Sequence, residues 1–225
     1  MKREIIKTGD GSTTIHLPEW GESYHSKHGA IAEALHVFID KGFSFQLDHI
    51  PGEGLNILEI GFGTGLNAYL TLMESVKRNV SVQYKGVEAY PVDREELDHL
   101  NYKDAFSGEG SEDVFQRLHD APWNELCQIT SSFSLYKQQA FFKDIEDQEV
   151  FDLIYFDAFG PRVQPELWTE AIFEKMYSAL KPGGCLVTYS AKGSVRRAMQ
   201  SVGFEVERLP GPPGKREMLR ALKNA

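Results

Sequence analysis

"ILEIGFGTGLN" occupies residues 57–67 and is the stretch that decides the fold. An apolar run carries the acid Glu59 near its end, and three glycines, Gly61, Gly63 and Gly65, follow within five residues. A short apolar run bounded by glycine is typical of a buried strand. Because glycine adopts conformations closed to other residues and lets a ligand approach the backbone, the loop after this strand is predicted to hold a ligand.

Outward from this stretch, apolar strands alternate with helical segments. The predicted strands are "LNILEI", "VSVQYKGVEA", "FSLYKQQA", "FDLIYFDAF", "CLVTYS", "FEVERL" and "REMLRAL". Between the second and third of them lies the polar stretch "KDAFSGEGSEDVFQRLHDAPWNEL", which is predicted to be partly helical. Alternation of this kind predicts an α/β, Rossmann-like fold with a mostly parallel seven-stranded sheet and right-handed crossovers. Ligands then bind beyond the carboxyl ends of the strands.

The first fifty residues precede this alternation. "REIIKTGDGSTTIHLPEW" alternates apolar and polar residues around a glycine turn, which predicts a β-hairpin. "HGAIAEALHVFI" has helical periodicity, and "FQLDHIPGEG" is predicted to be a loop. We therefore expect an N-terminal appendage over residues 1–50 and a Rossmann-like domain over residues 51–225.

Size, charge and cysteine content limit the function classes. The 225 residues, 41% of them hydrophobic, suffice for one buried domain with a small appendage. A net charge of −9 argues against a protein that grips nucleic acid over its whole surface, but leaves room for a local basic patch. No leader, membrane segment or metal-ligand spacing is expected. Cys127 and Cys185, far apart, are predicted to be reduced thiols of a cytoplasmic protein.

Two ligands fit the glycine loop. The pattern is GxGxxN, with Asn67 where dinucleotide-binding loops carry glycine. Glu88 ends the next strand and can accept hydrogen bonds from ribose hydroxyls, which S-adenosylmethionine and a nicotinamide cofactor both have. Glu59 favours S-adenosylmethionine, because it can accept from the ammonium of the methionine moiety. Alternatively, Glu59 caps the amides of its own loop and Glu88 favours a helix N-terminus.

Asp157 ends the apolar run "FDLIYFD". In the usual strand order it lies beside the glycine-loop strand and faces the methyl group of the donor. A carboxylate there suits a nitrogen nucleophile, since it stabilises the positive charge that develops on the amine and can take its proton. The alternative is that Asp157 only caps the turn that follows.

Several motifs together resemble one enzyme family. They are "EIGFGTGLN", "DAFGPRVQPELW", the "VRR" and "GF" elements, "GKREM", and an early set comprising Tyr24, Ser26, Gly29, Glu33, Val37 and Phe38. In this combination the chain resembles the methyltransferase half of the bifunctional tRNA 5-methylaminomethyl-2-thiouridine biosynthesis proteins. The resemblance extends from about Tyr24 to Leu219. It implies a class I S-adenosylmethionine-dependent methyltransferase whose last strand is antiparallel.

The resemblance also implies a reaction. The family transfers a methyl group from S-adenosylmethionine to the amine of 5-aminomethyl-(2-thio)uridine at the wobble position of tRNA. In the bifunctional proteins an FAD-dependent oxidase domain follows. Here the printed chain ends at Ala225, so we expect a stand-alone methyltransferase and a separate enzyme that supplies the aminomethyl group.

The resemblance places the N-terminal segment, with Tyr24, Ser26 and Glu33, over the cofactor pocket. Family members carry "GDA" after the third strand, with an acid near the adenine. Here "QQA" stands in that place, and Gln139 is the candidate for the adenine edge.

RNA recognition needs stacking and cationic side chains. Phe159 and Trp168 are candidates to stack on the target base, although Trp168 could instead pack between helix and sheet. A late basic group is predicted to contact the tRNA backbone, unless its members are scattered solvated residues: Lys192, Arg196, Arg197, Lys215 and Arg216. Alternatives to a tRNA enzyme are a small-molecule amine methyltransferase, an aminopropyltransferase, or a non-catalytic binding domain.

Overall fold

The structure is a computed structural model and describes residues 2–50, 52, 54–105 and 111–224. No helix among these residues combines the length and apolar character needed to cross a bilayer.

An eight-stranded sheet forms the centre of the molecule, in the order β10-β11-β9-β8-β4-β5-β7-β6. Its strands are β4 (Gly54–Ile60), β5 (Ser81–Glu88), β6 (Leu126–Thr130), β7 (Phe133–Gln139), β8 (Phe151–Phe156), β9 (Leu180–Thr188), β10 (Glu205–Pro210) and β11 (Glu217–Leu222). Strands β9, β8, β4, β5 and β7 pair in parallel. The fold class is confirmed.

The last strand, β11, is antiparallel to both of its neighbours, as expected. The predicted count of seven strands is one too low, because β6 also joins the sheet, antiparallel to β7 at the edge. Its sequence begins at the end of the polar stretch that was predicted to be partly helical. An edge strand has one unpaired side and an exposed face, so β6 lacks the apolar run by which the central strands are recognised.

Helices cover both faces of the sheet. They are α1 (Ala30–Ala34), continued by a π-helical segment (Leu35–Ser44) and α2 (Phe45–His49), then α3 (Leu66–Arg78), α4 (Arg94–Leu97), α5 (Ser111–Asp120), α6 (Glu170–Ala179) and α7 (Gly193–Ser201). The stretch predicted as a loop after residue 44 is therefore helical as far as His49. The helix continues there because it packs on the sheet: Gln46 is fully buried, and its Nε2 donates to the carbonyl oxygen of Gly183 in β9 at 3.1 Å.

The N-terminal segment forms a small sheet of its own. Strands β1 (Glu4–Lys7) and β2 (Thr13–Leu17) make the predicted antiparallel hairpin, with Ile5 opposite Ile15. A third strand, β3 (Glu22–Ser23), pairs with β2.

Two apolar cores sandwich the sheet, because successive strand residues point to opposite faces. Ile57 packs towards the long N-terminal helix and α3, whereas Leu58 packs towards α6 and α7. Strand β4 lies between β5 and β8, so the chain leaves it in one direction and returns on its other side. This reversal opens a crevice at the carboxyl ends of β4 and β8, where ligands of such sheets bind.

Candidate active site

A cavity of about 700 Å³ opens at this carboxyl edge. Its walls include the ends of three strands, represented by Glu59, Glu88 and Asp157, together with the glycine loop. The volume lies within the range of sites for small molecules and cofactors. Parallel strands whose sequences all end on acids have thus brought three carboxyl groups into one pocket.

The glycine loop is held against the segment that follows β8. Gly61 has φ of +87°, and a side chain on it would lie 2.8 Å from the carbonyl oxygen of Asp157. Gly63 has φ of +50°, and its missing side chain leaves room for the ring of Tyr24 at 3.1 Å. Both conformations are unfavourable for residues with a side chain. The glycines therefore allow Asp157 and Tyr24 to approach the loop closely.

Asn67, in the first turn of α3, bridges two of the acids. Its Nδ2 donates to Glu59 Oε1 at 2.9 Å and to Asp157 Oδ2 at 2.9 Å. Tyr84 donates its hydroxyl to the other oxygen of Glu59, also at 2.9 Å. Asn67 Oδ1 is buried and accepts no hydrogen bond from the described residues. A buried amide oxygen that lacks a donor indicates that a ligand supplies one.

Burial makes the site electrostatically unusual. It raises the pKa of Glu59 and of Asp157 well above their usual values, and the negative charge of Glu33 raises the pKa of Asp157 further. Hydrogen bonds from Asn67 oppose this rise at both carboxyls. Burial also raises the pKa of Glu88. Clustered buried acids favour a cation, which would stabilise their ionised forms.

Glu88 keeps part of its hydrogen-bonding capacity. Its Oε2 accepts from the backbone N–H of Gly63 at 3.2 Å, and its Oε1 accepts from that of Tyr90 at 3.0 Å. A carboxylate can accept about four hydrogen bonds. The backbone N–H of Ala89 also stabilises the carboxylate, so the bonds from Gly63 and Tyr90 leave part of its accepting capacity for ligand hydroxyls.

Aromatic side chains form the wall beside Asp157. Phe159 packs edge-on against Tyr24, at 4.9 Å between ring centroids, and against Trp20, at 5.5 Å. All three line the cavity. Trp168 is only 5% exposed and does not line it; its indole N–H donates to the carbonyl of Phe159 at 2.8 Å. Trp168 therefore does not stack on a ligand in the cavity but packs between helix and sheet, which was the alternative prediction. From there it supports Phe159 through this hydrogen bond.

Ser26 and Glu33 lie outside the cavity wall. Glu33 is buried and accepts from the backbone N–H of Ser26 at 2.9 Å and from Lys215 Nζ. Lys215 Nζ also lies 4.0 Å from the ring centroid of Tyr189. The structure thus brings two residues predicted for different roles, Glu33 for the cofactor and Lys215 for RNA, into one ion pair.

Gln139 also lies away from the cavity. It is exposed, and its backbone N–H donates to Asn124 Oδ1 at 3.0 Å. The wall next to Glu88 is formed instead by Tyr90, Phe141 and Phe142. Residues after the third predicted strand do reach the pocket, but two positions later than the resemblance implies.

His25 lines the cavity and was not predicted there. Its Nδ1 lies 3.0 Å from Thr14 Oγ1, and burial lowers its pKa to about 4, so the ring is neutral at physiological pH. A histidine between Tyr24 and Ser26 carries no sequence signal that distinguishes a pocket from the surface.

Only some members of the late basic group are exposed to solvent. Lys192, Arg197 and Arg216 are exposed, whereas Arg196 is half-buried with its Nε unpartnered among the described residues. Lys192 directly precedes α7, Arg196 and Arg197 lie on α7, and Arg216 lies on the loop between β10 and β11. Lys215, from the same loop, is held by Glu33.

S-adenosylmethionine fits this set of groups. The unpartnered oxygen of Asn67 and the carboxylate of Glu59 suit an ammonium group, Asp157 suits the neighbourhood of a sulfonium, and the free positions of Glu88 suit ribose hydroxyls. When bound, this donor supplies an electrophilic methyl group.

Comparisons with known proteins agree with this fit. Residues 127–224 match the family described as S-adenosyl-L-methionine-dependent methyltransferase. The crystal structure of MNMC2 from Aquifex aeolicus superposes with a TM-score of 0.79 at 26% identity, covering 98% of this chain and 70% of that one. Spermidine synthase from Thermotoga maritima shares the fold, with a TM-score of 0.58 at 16% identity, covering 98% of this chain and 68% of that one.

The curated relatives are longer proteins. This chain is 30% identical over 230 residues to the tRNA 5-methylaminomethyl-2-thiouridine biosynthesis bifunctional protein MnmC of Cupriavidus metallidurans, covering 96% of this chain and 33% of that protein. The protein of the same name from Paracidovorax citrulli is 30% identical over 218 residues, covering 91% and 33%. The chain therefore spans about a third of the length of the curated relatives it matches. The comparisons confirm two predictions: S-adenosylmethionine as the donor, and the resemblance to the methyltransferase part of these proteins.

Proposed function

We propose that this protein transfers a methyl group from S-adenosylmethionine to the primary amine of 5-aminomethyl-(2-thio)uridine at the wobble position of tRNA. The observation that carries the proposal is the placement of Asp157, a buried carboxyl beside an aromatic wall, next to the donor site. The names of the relatives support the same substrate.

Asp157 acts on the incoming amine. With the donor bound, its methyl group would be the electrophile for a neutral amine, and its sulfur would keep the electron pair of the carbon–sulfur bond. The nitrogen becomes positively charged, and the Asp157 carboxylate stabilises that charge and accepts the proton. Asn67 holds Asp157 through its Nδ2, so the carboxylate keeps one orientation throughout.

The donor is held by the glycine loop and the strand-end acids. Glu59 and Asn67 bind its ammonium, and Glu88 binds its ribose hydroxyls. Gly61, Gly63 and Gly65 allow the backbone to approach it. Phe141 and Phe142 take the place next to the adenine for which Gln139 was considered.

The target base stacks on Phe159 and is enclosed by Trp20 and Tyr24. These two residues come from the N-terminal segment, which on this view covers the pocket. Exposed Lys192, Arg197 and Arg216 contact the anticodon-loop backbone and offset the acidic surface elsewhere. The enzyme would act in the cytoplasm, on tRNA that another enzyme has already aminomethylated.

The direct test is incubation with labelled S-adenosylmethionine and tRNA that carries 5-aminomethyluridine, followed by nucleoside analysis. We expect label in 5-methylaminomethyluridine. Two controls separate the alternatives: the same tRNA without the aminomethyl group, and free diamines assayed for methyl and for aminopropyl transfer. Label that appears in a free amine and never in the modified nucleoside would overturn the proposal.

Donor binding is expected to depend on pH. The pKa values of Glu59, Asp157 and Glu88 are raised in the free protein, and a cationic ligand lowers them again. Binding therefore releases protons, and the affinity for S-adenosylmethionine falls as the pH drops through the raised pKa values. Calorimetry between pH 5 and pH 8, in pairs of buffers with different ionisation enthalpies, measures both effects. An affinity independent of pH over that range contradicts the prediction.

A further inference from the structure

A second cavity, of about 200 Å³, lies on the far side of the glycine loop. Phe62 and Gly63 contribute to its wall and also to that of the donor pocket. At about 30 Å³ per water molecule, the volume of about 200 Å³ equals that of about seven waters, which leaves room for a small polyatomic ion. Nothing in the proposed reaction uses this space.

Lys137, on β7, reaches this cavity from the sheet. The residue is only 2% exposed. Its ammonium donates to the backbone carbonyl of His119 at 2.9 Å and lies 5.2 Å from the ring centroid of Trp123 and 5.9 Å from that of Phe62. Among the described residues no carboxylate forms an ion pair with it. Burial lowers the pKa of Lys137 to about 8, and the nearby charge of Asp120 offsets this only in part. The ammonium is therefore still charged at neutral pH, and an anion in the cavity would stabilise it.

The neighbouring groups are suited to an anion. His119 Nε2 is buried and has no hydrogen-bond partner among the described residues, although its side chain lines the cavity. Burial lowers the pKa of His119 to about 3, so the ring is neutral, and in the tautomer that carries the proton on Nε2 it is a donor. Arg94 adds a second cation to the wall; Asp98 and Asp120 already pair with it.

From this arrangement we infer that the second cavity binds a small oxyanion of the phosphate type, held by Lys137, His119 Nε2 and Arg94. The ion supplies the missing counter-charge of Lys137 and accepts the hydrogen bond that His119 cannot make to the protein. The same chemistry could come from inorganic phosphate or from a phosphate of the RNA backbone.

Occupation of this site is coupled to the donor pocket. Gly63 borders both cavities and donates its backbone N–H to Glu88, and a side chain at Gly65 would lie 3.0 Å from His119. An anion that holds His119 in place also holds the loop that binds S-adenosylmethionine. By reciprocity, the anion raises the affinity for the donor as much as the donor raises that for the anion.

The test is a titration with inorganic phosphate at constant ionic strength, followed by thermal unfolding and by calorimetry. We expect saturable stabilisation of the wild-type protein and a rise in donor affinity. Lys137→Met keeps an unbranched side chain that is one heavy atom shorter and removes its charge; it should weaken phosphate binding at least tenfold. Because it also removes a buried charge, its melting temperature without phosphate should equal or exceed that of the wild type, which shows that it folds.

Lys85→Met is the matched control. Lys85 lies on the neighbouring strand β5 and is paired with Asp147 at 2.6 Å, away from the cavity. This variant should bind phosphate as the wild type does. No saturable effect of phosphate on the wild type, or equal phosphate binding by Lys137→Met, would overturn the inference.

A second arm identifies the source of the anion. The phosphate titration is repeated with saturating unmodified tRNA. An apparent dissociation constant that rises with tRNA, in the wild type and in Lys85→Met, assigns the site to an RNA phosphate; a constant that does not change assigns it to the free ion. Only this arm rests on the proposed function, so a failure of tRNA binding leaves the first titration decisive.

Discussion

Asp157→Asn is expected to abolish methyl transfer while leaving the donor in place. The substitution removes the negative charge but keeps a carbonyl oxygen that can accept from Asn67 Nδ2, as Asp157 does at 2.9 Å. Loss of a group that handles a proton in the transition state costs about 10²- to 10⁴-fold in rate. We therefore expect kcat to fall at least a hundredfold. The dissociation constant of S-adenosylmethionine should rise by about tenfold or less, which corresponds to about 1.4 kcal/mol, because Asp157 faces the sulfonium but holds neither the ammonium nor the ribose.

The control for this variant lies on β8, the strand that ends one residue before Asp157. Asp152 is also buried, but it pairs with Lys181 at 2.9 Å and accepts from the backbone N–H of Asn56, away from the pocket. Asp152→Asn should lower the melting temperature and leave kcat unchanged. Single-turnover assays with tRNA and calorimetry with the donor give the two quantities. Turnover of Asp157→Asn at the wild-type rate would remove Asp157 from the proposed mechanism.

Glu59→Gln is expected to weaken donor binding and to stabilise the free protein at neutral pH. The carboxylate is 1% exposed and is the proposed partner of a cationic ammonium. Removing one partner of a buried charge pair costs about 2–5 kcal/mol. The affinity for S-adenosylmethionine should accordingly fall about 30-fold or more. Glutamine still offers an oxygen to Asn67, and its amide can donate to the hydroxyl oxygen of Tyr84.

The effect on stability follows from the sign of the pKa shift. Burial raises the pKa of Glu59 in the folded state above its value in the unfolded state. The protonated group therefore stabilises the fold fully below the unfolded pKa, and this contribution is lost as the pH rises through the folded pKa. At pH 8, above the unfolded pKa, folding must either protonate this carboxyl or bury its charge, and glutamine removes that cost. Each unit of raised pKa corresponds to about 1.4 kcal/mol, so we expect a gain of about 1 kcal/mol or more.

Urea unfolding of the free protein at pH 5 and pH 8 measures this gain, which should be larger at pH 8. Glu74→Gln is the matched control on α3. There Arg78, at 2.6 Å, helps to hold the pKa of Glu74 below its usual value, so the substitution should lower stability slightly at pH 8 and leave donor affinity unchanged. A Glu59→Gln protein that binds S-adenosylmethionine as tightly as the wild type would place the ammonium elsewhere.

A gain in stability in Glu59→Gln would show that the donor site lowers the stability of the free protein. Three acids with raised pKa values are kept close together, and a cationic ligand is what relieves them. Such sites are a recognised origin of the trade-off between stability and activity.

The sequence alone determined the parts of this molecule that depend on short stretches of chain. The run from residue 57 to residue 67 predicts a strand, a turn and a helix, because each is specified by neighbouring residues. The acids that end β4, β5 and β8 meet because the carboxyl ends of parallel strands share one edge. The strand β6 escaped prediction because an exposed edge strand needs no apolar run.

Only the tertiary structure decided which side chains touch. Asn67 and Asp157 are 90 residues apart, and Lys215 and Glu33 are 182 apart. The side chain of His25 lines the pocket, Gln139 lies outside it, and Trp168 packs behind Phe159. These choices depend on how distant elements pack and which groups lose water, and no local pattern carries that information. Lys137 is a further example. The sequence shows where Lys137 lies in its strand, but only the packing of the sheet and helices determines that its charge is buried without an ion pair among the described residues.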